Sequence, residues 1–406
     1  MISVIREFSI KSVTEIGNPE ISFSVFKSFS EIITGYPAWI KDHGRHALGF
    51  GRFMELFTIP IGEYLRRFIS DQDLINFIAS MGYRGCPASF SMPFIYCLTD
   101  YFYPARGGMQ AVSDAMAEAI EGHGGRIMYD TLVDEILTQG GRAVGVRTRA
   151  GDVFHASYIV NNGDAMRTYR DMLPREVVPS TFRKKIESCR FSESVFLTYL
   201  GVDMPTEEIS RAVGGCPHVI VMPDYRPGGY DDVENNPDYF KKSLLMVSVP
   251  TIHDPGCAPA GKSVVVLQSG AHIKFNENWG ITEGKRNAAY RELKDKISKQ
   301  LIANAERLIP GLSGRIELKL TASPHTHVRY TLNSDGATVG WTYNPYYTAF
   351  PGAKGLLGAG MFTPVKNLYQ VGHWAMYPGG APSGFMTGRM ASLLIRARLK
   401  MGFLGR

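Results

Sequence analysis

The residues best suited to hold a charged or electron-rich ligand lie near the C-terminus, in NLYQVGHWAMYPGGAPSGFMTGR. A strand expected over 368–371 delivers Gly372-His373, and Gly379, Gly380 and Gly384 lead into a helix expected from about Ser383 to Lys400. Glycines let a flat ligand approach the backbone closely. The unpaired N–H groups of a helix's first turn add roughly half a positive charge. Such a loop suits an anion or an electron-rich ring. The plainer reading is a Gly/Pro turn that caps a C-terminal helix.

Other candidates are weaker. His325 and His327 alternate on an expected strand, which would turn both rings to one face as metal ligands or a proton-relay pair. No third ligand accompanies them, and a hydrogen-bonded structural pair is the simpler reading. Arg329 and Tyr330 follow, and a salt bridge inside the domain is the simplest duty for Arg329. Trp341, Tyr343, Tyr346 and Tyr347 form the densest aromatic cluster, suited either to lining a tunnel for a long apolar ligand or to core packing. Cys257 has no activating base near it in sequence and reads as inert. No Ser/His/Asp order, Walker loop or paired-carboxylate motif stands out.

The elements that must position these residues follow from hydrophobic periodicity. Residues 1–102 read as mainly helical, with a helix capped by Ser70 and carrying Leu74, Phe77 and Ile78 to Gly82. The uncharged stretch from Gly85 to Thr99 reads as a buried wall, too short to span a bilayer. Met109, Val112, Met116 and Ile120 repeat at helical spacing until Gly124-Gly125. A meander is expected next, over 127–137, 143–147 and 153–160, ending in Asn161-Asn162-Gly163-Asp164. Strands are expected at 195–200, 219–222, 244–249 and 264–267. A helix carrying Tyr290, Leu293, Ile297, Leu301 and Leu308 ends at Pro310-Gly311, with Lys294, Asp295 and Lys299 on a solvated face.

Composition bounds the function. Across 406 residues the net charge is +6, small and dispersed, which argues against a nucleic-acid binder. Hydrophobic residues at 44% and aromatics at 11% can bury a large core. Five scattered cysteines without a C-x-x-C favour a reducing compartment over a disulfide framework. Arg6 and Glu7 interrupt the N-terminal stretch where a signal peptide needs an apolar run, so a cytoplasmic location is expected. The uncharged run 367–388 contains Pro378 and Pro382 and reads as a loop, not a membrane span.

Several segments in order resemble the flavoprotein superfamily of phytoene desaturases, carotenoid isomerases and retinol saturases. They are YPARGGMQAVSDAMAEAIEGHGGRI, VDEILTQGGRAVGVRTRAGDVFHASYIVNNGD, SVPTIHDPGCAPAGKSVVVLQS, SPHTHVRYTLNSDGATVGW and the C-terminal stretch. The likeness covers roughly residues 55–396. It implies a mixed α/β fold with a glutathione-reductase-like FAD domain and an interleaved substrate domain of mixed sheet and helices. The FAD-domain portion would be 103–165 and 351–406, and the substrate or cap domain 1–102 and 166–350. It implies cofactor contacts at Gly372, His373, Gly379, Gly380, Ala381, Pro382, Met386 and Val133. The substrate cavity would involve Trp341, Tyr343, Arg329 and His327. The implied activity is that of an FAD-dependent oxidoreductase, a desaturase, saturase or isomerase, acting on a hydrophobic isoprenoid polyene. An amine-oxidase-like enzyme is the other reading within the superfamily.

The sequence departs from the superfamily's pattern at one motif. The G-x-G-x-x-G turn that opens a βαβ unit and cradles the FAD pyrophosphate is missing, because Gly49-Phe50-Gly51 has Met54 where the third glycine belongs. Another chain supplies the unit, the gene is truncated, or FAD is not bound. The last case corresponds to a non-catalytic subunit that keeps a hydrophobic ligand site. A polyene substrate also suggests peripheral contact with a membrane surface through the 85–103 stretch.

Overall fold

The computed structural model describes residues 59–80, 88, 106–221, 236–281, 283–342, 359–375 and 379–404. The chain divides into two compact units, Met1–Tyr101 and Phe102–Arg406.

In the first unit, α1 (Ile61–Leu65) and α2 (Gln72–Ser80) bury Ile61, Leu65 and Ile75 together with Ala88. Asp71, not Ser70, caps α2, its carboxylate accepting the Leu74 N–H at 2.9 Å. The shift changes the inward face: Ile75 is buried, whereas Leu74 and Phe77 are exposed. Gly82 and nearly all of the Gly85–Thr99 wall lie outside the described residues.

In the second unit, α3 (Gln110–Gly122) stops at Gly124, whose φ of +79° suits only glycine well. β1 (Val133–Gln139) and β2 (Arg142–Thr148) then form a hairpin through Gly140-Gly141, and β3 (Val153–His155) pairs with β2. The meander begins later than expected, since 127–132 are not strand. Its third strand also breaks, and β4 (Ile159–Asn161) leaves the meander to pair in parallel with β10 (Leu368–Gln370). Lys366 links the two sheets, exchanging backbone hydrogen bonds with Gly141 and Ala143.

The larger sheet is antiparallel, in the order β6-β7-β8-β5-β9. It comprises β5 (Ser194–Val202), β6 (His218–Val221), β7 (Leu245–Ser248), β8 (Ser263–Ala271) and β9 (Ile316–Ala322). Strict alternation of buried and partly exposed residues along β8 fixes its register, because a one-residue slip would turn Val265 and Leu267 outward. A 19-residue helix, α4 (Ala288–Glu306), lies on this sheet. Asn287 caps its start and Glu306 receives the N–H groups of Gly311 and Ser313 beyond its end. Ile297, Leu301 and Ala305 enter a core with Phe196, Phe240 and Trp279. Each Ile, Leu or Phe side chain removed from water in this way contributes about 1.5–3 kcal/mol. The charged face of α4 is only partly solvated: Lys294 donates to the Thr321 carbonyl at 2.7 Å, and Asp295 pairs with Lys319 of β9 as well as Lys299.

His325 and His327 lie on a helix, α5 (Pro324–Thr331), and not on a strand. Ser323 and Thr326 form a capping box and Pro324 occupies the first turn, signals that outweigh the alternating histidines. Two residues apart on a helix, the rings point about 200° apart around the axis. His325 bonds Asn278 at 2.9 Å, and His327 lies against the backbone of Val195. The proton-relay pair expected from a shared strand face therefore does not form.

The C-terminal helix, α6 (Ala381–Leu404), starts two residues earlier than expected. Among the described residues no helix is long and apolar enough to cross a membrane.

Candidate functional site

The site is built where the parallel strands β4 and β10 end side by side. Asn161 donates to Gln370 Oε1 at 2.8 Å and to Thr168 Oγ1 at 2.7 Å, and Gln370 donates to the Gly163 carbonyl at 2.8 Å. This amide pair locks the two strand ends in register although 209 residues separate them. Asp164, 5% exposed, then gathers a third segment. One carboxylate oxygen accepts the Arg167 N–H at 2.8 Å and the other the Ser334 N–H at 2.5 Å.

Beyond β10 the chain turns at Gly372, whose φ is +78°. A Cβ there would overlap Asn162 Oδ1, so the turn requires glycine both for conformation and for space. The Gly372 N–H donates to Thr387 Oγ1 at 2.8 Å, fixing the strand end against α6. His373 and Trp374 follow in a short 3₁₀ turn. Trp374 is buried, donates to Asn333 at 3.1 Å, and its carbonyl accepts the Trp341 indole N–H at 2.9 Å. Nε2 of His373 is buried with no hydrogen-bond partner among the described residues. Burial holds this imidazole below the ordinary histidine value, with the Asp164 charge pulling the other way.

Gly379 is required by the chain itself, since a Cβ there would overlap the Val339 carbonyl and press on His373. Gly380, at φ +113°, starts α6, and its carbonyl accepts from Ser383 Oγ at 2.7 Å. The open ground lies further on. Among the described residues a Cβ at Gly384 or Gly388 would meet nothing within 4 Å, and Ala381, Phe385 and Met386 are exposed around them. The dipole of α6 favours negative charge at this end of the helix.

Gly372, His373, Gly379 and Gly380 thus come together with the first turns of α6, which contain Ala381, Pro382 and Met386. Val133 begins β1, an edge strand of the meander, and is half-buried. Trp341 is 2% exposed, stacked on Phe191 at 5.7 Å and edge-on to Trp374 at 4.8 Å, a core position supporting the Gly372–Trp374 turn. Arg329 is exposed and lies over the ring of exposed Tyr330 at 5.4 Å, and among the described residues it makes no salt bridge. His327 is half-buried, with a lowered pKa caused by burial. Tyr343, Tyr346 and Tyr347 lie outside the described residues. Cys257 has its thiol pKa raised by burial and by Asp254, as suits an unreactive thiol. Among the described residues no group of three or more His, Cys, Asp or Glu side chains could hold a metal ion.

Sequence reasoning missed Asn161, Asp164, Gln370 and Thr387 as the residues that fix the site. The available signal was Asn161-Asn162-Gly163-Asp164 at a strand end, a run rich in polar groups that bind backbone.

Residues 46–195 match the family of flavin containing amine oxidoreductases. A neurosporene-forming phytoene desaturase of Cereibacter sphaeroides is 30% identical over 305 residues, 73% of this chain and 53% of that protein. The chloroplastic prolycopene isomerase 2 of an Oncidium hybrid is 28% identical over 340 residues, 80% of this chain and 52% of that one. These likenesses support the superfamily that the sequence resembles. It spans about half the length of these curated relatives. Among solved structures, an oxidoreductase of Methanosarcina mazei superimposes with a TM-score of 0.51 at 18% identity, over 82% of this chain and 67% of that one. Putrescine oxidase gives 0.54 at 12% identity, over 85% and 69%. The fold of these oxidoreductases is therefore present in this chain, as a mixed α/β architecture of the glutathione-reductase type.

Proposed function

We propose that this chain carries the flavin-side loop and the substrate domain of an FAD-dependent oxidoreductase that desaturates, saturates or isomerises a hydrophobic, carotenoid-like polyene. One observation supports this most: the β4 and β10 ends, clamped by Asn161, Gln370 and Asp164, feed a glycine turn into the open first turns of α6. When bound, FAD supplies the hydride or electron-pair exchange that the side chains here cannot. Gly372 and Thr387 fix the strand end, the N-terminal dipole of α6 favours negative charge beside it, and Trp341 and Trp374 hold the turn rigid. The named relatives act on phytoene and prolycopene, and a substrate of that class needs apolar contact without an acid–base residue.

In this reading residues 103–165 and 351–406 form the flavin side, and 1–102 and 166–350 the substrate side. The 406 residues contain no G-x-G-x-x-G motif, and a pyrophosphate-binding βαβ unit supplied from outside them, for which a partner chain is one source, would complete the cofactor site. A polyene dissolved in a bilayer calls for peripheral contact with a membrane surface. The missing motif also supports a second reading, a non-catalytic subunit that binds a hydrophobic ligand.

The experiment incubates the chain with FAD and phytoene or prolycopene in liposomes, with and without the products of neighbouring genes, and separates the carotenoids by chromatography. A new polyene formed only in the presence of this chain is the expected result. Unchanged substrate in every combination overturns the enzymatic reading in favour of the binding subunit.

A further inference from the structure

Three features of the second unit are left unfinished, and they call for the same kind of neighbour. The first is a bare strand edge. The β4–β10 pair is parallel, with three residues in each strand. Its ladder uses the Ile159 N–H, given to Asn367 at 2.8 Å, and the Asn161 carbonyl, which accepts from Val371 at 2.8 Å. Backbone groups of successive residues point to opposite edges, so the N–H and C=O of Val160 face outward, and Val160 is 46% exposed. A two-stranded sheet is marginal in water, and parallel sheets are found with further strands and with helices over both faces.

The second feature is the segment 127–130, which has the pattern expected of a strand but forms none. Its backbone N–H groups have no hydrogen-bond partner among the described residues, and Met128 and Tyr129 are exposed, Tyr129 at 73%. The third is α3. Met109, Val112, Met116 and Ile120 lie along one side of it and Asp114, Glu118 and Glu121 along the other, yet Met109, Met116 and Ile120 are each 46–58% exposed. Among the described residues α3 buries none of its side chains. A 13-residue helix owes most of its stability to the packing of its apolar face, so this stripe is built to be covered.

We propose that these features, all within one compact unit, form a docking surface for a βαβ unit carried by a separate polypeptide. One strand of that unit adds in parallel to the Val160 edge, the other pairs with 127–130, and its apolar side chains cover Met116 and Ile120. Parallel strands need a crossover connection, usually a helix, so the occupant is strand–helix–strand and not a hairpin. The chain spans about half the length of the curated relatives it matches, which leaves ample sequence in them for such a unit. This docking rests on the reading above, in which a βαβ unit completes the cofactor site, and gives that unit its place.

The test mixes the full-length chain, without FAD, with two probes: the products of its neighbouring genes, and the part of the Cereibacter sphaeroides phytoene desaturase that precedes its matched region, expressed as a soluble fusion. Calorimetry and light scattering read a one-to-one complex. Val160→Pro removes the outward N–H and spares the β10 ladder, and Met116→Glu places a charge in the stripe; each should weaken association by about tenfold or more. Both positions are exposed in the lone chain, so the thermal midpoints of the variants alone should match the native one. Hydrogen exchange at 127–130 and 160 should be fast in the lone chain and slow in the complex. No complex with either probe, or equal association by native and both variants, overturns the proposal. Slow exchange at these amides in the lone monomer gives the surface to residues 1–58, and a dimer that protects them gives it to a second copy; either overturns the separate polypeptide. A complex that forms through this surface but retains no added FAD leaves the docking surface standing and overturns the oxidoreductase reading instead.

Discussion

The backbone N–H of Gly372 donates to the hydroxyl of Thr387 at 2.8 Å, and that hydroxyl donates in turn to the Ser383 carbonyl at 2.6 Å. One buried side chain therefore binds a strand end to the first turns of the helix that follows it. The relationship sets the angle at which the loop meets α6. Replacing Thr387 with Val keeps the shape and leaves the Gly372 N–H unsatisfied, which should destabilise the protein by about 1–3 kcal/mol. Chemical denaturation measures this, and Thr387→Ser should restore most of the loss.

Two glycines in the same region should behave oppositely. Gly372→Ala places a methyl group onto Asn162 Oδ1 at φ +78° and should prevent stable folding or cost several kcal/mol. Gly388→Ala adds a methyl group in open space on a helix and should stabilise by up to about 1 kcal/mol. Thermal midpoints of the two variants moving in the same direction would contradict the described turn.

In the larger core, Trp279 is fully buried, stacks on Phe196 at 5.6 Å and donates to the His272 carbonyl at 2.9 Å. Trp279→Ala should cost about 3–5 kcal/mol, read from urea midpoints with an unchanged slope.

Burial lowers the pKa values of His325, His327 and His373 below the ordinary histidine value. The unfolded chain therefore binds protons more readily than the folded one, and stability rises with pH across the interval between the lowered and ordinary values. The thermal midpoint should fall as pH drops below about 6.5, ahead of the carboxylate range. His373→Asn should flatten that dependence. A midpoint that rises on acidification through this interval contradicts the burial of these rings.

Much of the fold is legible in local pattern and much of the site is not. The β1–β2 hairpin follows from Gly140-Gly141, and α4 follows from the spacing of Tyr290, Ile297 and Leu301. β9 escaped notice because Glu317 and Lys319 alternate with Leu318 and Leu320, which on this edge strand are more than half exposed. α5 was misread because two alternating histidines resemble a strand, while the stronger signal was Ser323-Pro324 with Thr326. The Asn161–Gln370 pair cannot be found from spacing at all, since only the parallel pairing of β4 with β10 brings the two amides together.

The central claim is that flavin lies over the first turns of α6, with its pyrophosphate held by a unit outside these 406 residues. The measurement is bound FAD per folded chain, taken for the chain alone and for the chain co-purified with its neighbouring gene products, in native and Gly384→Leu forms. Gly384 is the informative position because among the described residues its side faces open space, so Leu fills the proposed ligand's ground and leaves the turn unstrained, unlike a substitution at Gly380. The account predicts little FAD on the lone chain, stoichiometric FAD in the native complex, and loss of FAD in the folded Gly384→Leu complex. FAD absent from every native preparation, or retained equally by native and Gly384→Leu, would contradict it.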